Sequence, residues 1–140
     1  MLRSDRKPLL MPSDADPRFF VDAGQIYGMA GLINFRQGGS WDLQRVGPEG
    51  KFVGDFTDFA TVAIGLYGAA ASIPLDVLLT IQDRYAAGHS NFGSAKMDDK
   101  FTHLPEVNVR NTRLGYDLFA SGRIGPSPMG AAISKSWTPQ

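Results

Sequence analysis

Asp55 and Asp58 stand three residues apart at the head of the longest apolar run in the sequence, Phe59 to Ala71. On a helix that spacing puts both carboxylates on one face. The same acids would oppose the positive end of the helix dipole, with Asp55 or Thr57 as the N-cap, so capping and catalysis compete as explanations. Two carboxyl groups in unequal surroundings, one against apolar residues and one solvated, can divide the roles of proton donor and base. Hydrolysis of a glycosidic bond needs that division. Asp58 is the expected donor and Asp42 the expected second carboxylate. Trp41 and Tyr67 would supply flat contacts for a sugar ring; the competing explanation for Trp41 is an ordinary core aromatic.

His89 and His103 are the sole histidines, fourteen residues apart. An acid and a base of this type suffice for metal-free RNA cleavage. Arg84, Arg110 or Arg113 could hold the phosphate, and His89, Asn91 and Arg110 are the expected substrate contacts outside the carboxylate pair. The competing explanation is that both are solvated loop residues, because their spacing forms no metal or catalytic motif. Asp98, Asp99 and Asn91 offer oxygen ligands, but at no cation-loop spacing, and turn formation accounts for them, so no metal and no cofactor is expected. The absence of cysteine excludes disulfides, thiolate metal sites and cysteine nucleophiles. No serine sits in a nucleophile elbow and the glycines form no phosphate loop, which excludes acyl transfer and nucleotide hydrolysis by those routes. Lys plus Arg and Asp plus Glu both total 14, a balance that weighs against a protein that neutralises many phosphates.

These residues need a scaffold, and a chain of 140 residues makes one domain. The expected class is α+β, mainly α-helical, with about four helices and a small β-hairpin in a single compact domain. Residues 1–12 read as a flexible leader, 13–123 as the globular part and 124–140 as a flexible tail. Ser13 to Pro17 offers an N-cap with proline in the first turn, and apolar spacing predicts a helix over 17–35. Ser40 to Val46 alternates, and Gly47-Pro48-Glu49-Gly50 supplies turn chemistry before Lys51-Phe52-Val53, which predicts the hairpin. The central helix is expected over 55–71. Pro74 opens a third helix ending near Gly88, residues 88–104 form a long loop, and Pro105-Glu106 opens a fourth helix towards Gly122. The apolar run is short of the roughly 20 residues of a bilayer span, so a core helix with no membrane span is expected. No apolar segment of signal-peptide length follows the N-terminus.

Gly38-Gly39-Ser40-Trp41-Asp42-Leu43, then Asp58-Phe59-Ala60-Thr61 with Gly65 and Gly68-Ala69-Ala70-Ala71, then Leu114-Gly115-Tyr116, together resemble the bacterial polymorphic toxin domain called type 44. Where the family helix carries an asparagine after a glycine, this chain has Ala60-Thr61. The resemblance implies an antibacterial toxin, secreted or delivered into a target cell by a carrier or effector scaffold and neutralised in the producer by a cognate immunity protein. It does not imply a reaction. The leading expectation is therefore a hydrolase of a bacterial envelope polymer, such as the peptidoglycan glycan strand. The alternatives are a nuclease toxin working through the histidines and arginines, and a non-enzymatic interaction module built on the small-residue face from Gly65 to Ala71.

Overall fold

A computed structural model describes residues 9–13, 15–44, 56–90 and 92–134. Four helices carry the fold: α1 (Pro17–Tyr27), α2 (Thr57–Ala70), α3 (Leu75–His89) and α4 (Glu106–Ala120), followed by a single turn, α5 (Ala131–Ser134). Asp16 caps α1, accepting from the Arg18 amide at 3.0 Å, and Pro17 fills the first turn, where its missing N–H costs nothing. The helix expected over 17–35 changes character at Gly28, whose φ of 61° suits a residue without Cβ. A 3₁₀ segment, Gly28–Phe35, continues from there.

The central element is α2, buried nearly all round. It can be buried because α4 crosses it at backbone distance. A Cβ on Gly65 would run into the carbonyl oxygen of Thr112, and one on Gly115 into that of Val62. Each helix thus gives one glycine to the crossing. A Schellman turn ends α2: Ile73 N–H bonds Gly68 O at 2.9 Å and Ser72 N–H bonds Ala69 O at 3.1 Å. Ser72 holds the left-handed position at φ 61°. Tyr116 closes the corner by donating to Ile73 O at 2.7 Å.

The main core joins Phe19, Phe20 and Ala23 of α1, Trp41, Leu43, and Phe59, Val62, Leu66 and Tyr67 of α2. A smaller core of Leu79, Ala86, Phe101, Leu104 and Val109 lies under the loop between α3 and α4. The expected hairpin is not seen: residues 40–44 form turns, and 45–53 lie outside the described residues. The alternation of Ser40 to Leu43 serves a loop that inserts Trp41 and Leu43 into the core, and among the described residues only the isolated bridge Met97–Pro105 is β-like. Within the segment expected to be a tail, Ser127 and Ala132 are buried. The Asp22 carboxylate accepts from Ser127 N–H at 3.0 Å and from its hydroxyl, and Ala132 N–H bonds that hydroxyl oxygen at 2.9 Å.

The crossing makes a direct prediction. Gly65→Ala or Gly115→Ala should cost about 3 kcal/mol in urea unfolding, because the obstacle is backbone rather than a movable side chain. Gly88→Ala, with open space around its Cβ position, should instead gain about 0.5 kcal/mol from better helix propensity.

Candidate functional site

The residues expected to grip a sugar are inside the protein. Trp41 is 6% exposed and packs edge-on against Phe19 and Phe35, with ring centroids 5.7 and 5.4 Å away. Tyr67 is fully buried, 5.5 Å from Trp41, and its hydroxyl donates to Gly28 O at 2.6 Å. Tryptophan's area outweighs its polar edge here, so both aromatics are core residues and not substrate walls. Asp42 is 7% exposed, and its Oδ2 accepts from Gly38 N–H at 2.8 Å, closing the turn that the Trp41 N–H to Asn34 O bond also holds. Its geometry is that of a loop clamp.

Asp58 lies half-buried in the first turn of α2. Its Oδ1 accepts from the Asn111 side-chain amide of α4 at 2.9 Å. Thr57, beside it, donates to Gln44 Oε1 at 3.2 Å, which ties the Trp41–Asp42 loop to the head of α2. Asp55 and Asn91 lie outside the described residues. Arg110 is on the exposed side of α4, away from the face that carries Asn111.

His103 occupies a better-defined place. An open cleft of about 270 Å³ lies between the last turns of α3 and the following loop, lined by Ala86, Ala87, Ser90, Phe92, Met97, Thr102 and His103 among others. Asp98 shapes that loop, accepting from the amides of Lys100 and Phe101 at 3.1 and 2.9 Å, so its role is turn formation. Asp83 of α3 holds His103 twice: the backbone N–H reaches Oδ1 at 2.8 Å, and ring Nδ1 lies 3.3 Å from Oδ1 and 3.4 Å from Oδ2. His89, at the end of α3 but not among the residues that line the cleft, has Nδ1 2.9 Å from Tyr85 O and stacks on the Tyr85 ring at 4.1 Å. A carbonyl or carboxylate oxygen only accepts, so both contacts suit rings whose Nδ1 carries the proton. Among the described residues no group of three or more His, Asp or Glu is arranged to hold a metal ion.

Asp83, Asn108 and Asn111 were missed at the level of sequence. The available signal was polar residues at core-facing positions: Asn108, Asn111 and Thr112 are all buried on α4, in line with Gly115. No family model, no curated protein and no solved structure matches the chain.

Burial pushes the Tyr67 hydroxyl up to about 12, with Tyr27 adding to the shift. Unfolded tyrosine ionises near 10. Between these values the unfolded chain binds fewer protons than the native one, so stability present below pH 10 should fall as pH rises towards 12. Tyr67→Phe should abolish this slope in alkaline unfolding titrations and cost about 1–2 kcal/mol at neutral pH by stranding Gly28 O.

Proposed function

We propose that the chain is a toxin domain that cleaves nucleic acid inside the cell it enters, with His103 and His89 as its acid–base pair. The resemblance of Gly38–Leu43 and of Asp58–Ala71 to polymorphic toxins supports the first half. The second half rests on one observation: both imidazoles are anchored through Nδ1, with His103 on a carboxylate at the edge of a cleft. Asp83 selects the tautomer of His103 and fixes the orientation of its ring. The 3.3 Å separation is longer than a good hydrogen bond, as is usual for catalytic pairs without substrate.

RNA suits this chemistry. His103 Nε2 takes the proton of the ribose 2′-hydroxyl, the 2′-oxygen attacks phosphorus, and the P–O5′ bond breaks. Protonated His89 returns a proton to the leaving 5′-oxygen, so the histidines exchange protonation states and neither metal nor oxidant is consumed. Exposed Arg84, Arg110 and Arg113 supply charge for the phosphates. A delivered toxin of this kind requires an immunity protein in its producer and a carrier to move it.

Carboxylate chemistry on an envelope polymer is the second reading, favoured by the Asn111 bond that orients Asp58. It lacks the aromatic walls and keeps Asp42 only as a buried clamp.

Expression in a bacterial host separates the two. The chain without an export signal should arrest growth and degrade RNA while cells stay intact, and His103→Ala should lower RNA cleavage by about 10²- to 10⁴-fold. That substitution spares the backbone bond to Asp83, so the loop keeps its anchor. Lysis seen only on export to the periplasm, and lost in Asp58→Asn, would move the assignment to the envelope.

A further inference from the structure

The cleft that His103 lines combines apolar and polar walls. Phe92, half-buried, packs on the smaller core and lines the cleft together with Ala86 and Met97. Ser90 and Thr102 add hydroxyls, which donate or accept as a ligand requires. Among the described residues of the lining there is no lysine or arginine, so a phosphate finds no fixed positive charge there. The volume of about 270 Å³ lies just under the roughly 300–1,000 Å³ of ordinary small-molecule pockets. A flat, uncharged ring with polar edges suits such a space better than an anionic group does. The reaction assigned to His103 says which ring that is. Base and 2′-hydroxyl stand on neighbouring carbons of one ribose, so a ribose that presents its hydroxyl to His103 carries its own base to the cleft.

We propose that the cleft is a stacking subsite for the base of the nucleotide whose 2′-hydroxyl is deprotonated, with Phe92 as its platform, and that the substrate is single-stranded RNA. A base in a duplex is already stacked and paired, and must be extruded before it can enter. Aromatic stacking accepts every base because each has a π-face, and hydroxyls adapt to each edge. The subsite therefore selects an unpaired base and not a sequence. This assignment rests on the nuclease reading and names the substrate of that same site.

The test uses the full chain and oligonucleotides that are deoxyribose except for one ribose, so that cleavage occurs at one place. Removing the base from that ribose should raise KM about tenfold and change kcat little. Phe92→Leu keeps an apolar side chain but no π-face. It should raise KM for the intact oligonucleotide by about the same factor and add nothing to the loss from base removal, whereas Phe92→Tyr should behave as wild type. Annealing a complementary strand should slow cleavage about tenfold. If Phe92 served the core alone, the losses from Phe92→Leu and from base removal would multiply. Multiplying losses, a KM indifferent to base removal, or equal cleavage of the duplex overturns the assignment and leaves the nuclease reading standing. The last two are read on the wild-type chain, whatever Phe92→Leu does to folding. No cleavage of any RNA by the wild-type chain overturns the nuclease reading and the assignment with it.

Discussion

The backbone contact between α2 and α4 is the constraint from which the remaining geometry follows. At Gly65 and Gly115 each helix meets the other's carbonyl oxygens, leaving no room for a side chain on either. Interiors are close-packed and nearly incompressible, so such a crossing tolerates little sliding. Its rigidity is transmitted along α4. One turn before Gly115, Asn111 reaches Asp58 and Thr112 meets Gln82 of α3. One turn earlier, Val109 seals the small core under the loop that carries His103. The small residues of α2 expected to form a docking face are met by three helices of the same chain: Gly65 by α4, Gly68 by Leu78 of α3, and Ala70 by Gly24 of α1.

The loop before α2 shows how burial decides between two uses of the same residues. Trp41 and Asp42 are the pair a carbohydrate site would employ, but a tryptophan buries 150–250 Å² and gains most when several rings surround it. Phe19, Phe35 and Tyr67 provide them. Asp42 then satisfies Gly38 N–H, a backbone donor that the turn leaves without a ladder partner. The motif that carries the family resemblance is accounted for as a structural clasp on the aromatic core.

Helix positions were legible because their punctuation is chemical. Pro17, Pro74 and Pro105 each stand at the first turn or the cap of a helix, and the observed ends of α3 and α4 differ from the expected ones by a residue or two. The hairpin failed because alternation over Ser40 to Leu43 has two physical meanings, a half-buried strand or a loop that plunges alternate side chains inward, and periodicity does not separate them. The site was less legible still. Asp83 sits twenty residues before His103, with no local pattern connecting them. Asn108 and Asn111 resembled ordinary helix-surface polar residues until the glycine at 115 fixed which side of α4 faces inward.

Charge neutrality is compatible with a nucleic-acid substrate once the positions of the charges are considered. Several acids are committed to structure: Asp16 caps α1, Asp22 holds Ser127, Asp42 and Asp98 close turns, and Asp83 holds His103. A carboxylate engaged by backbone amides has part of its field compensated locally. Arg84, Arg110 and Arg113 are all exposed, by contrast, and long side chains of this type adapt to a phosphate backbone at the surface. The formal sum of zero therefore includes acids already engaged in structural bonds, while these three arginines stand exposed. What limits affinity on this account is the number of arginines a substrate can reach at once, so binding should be weak overall and its salt dependence shallow, because the slope scales with the few phosphates neutralised.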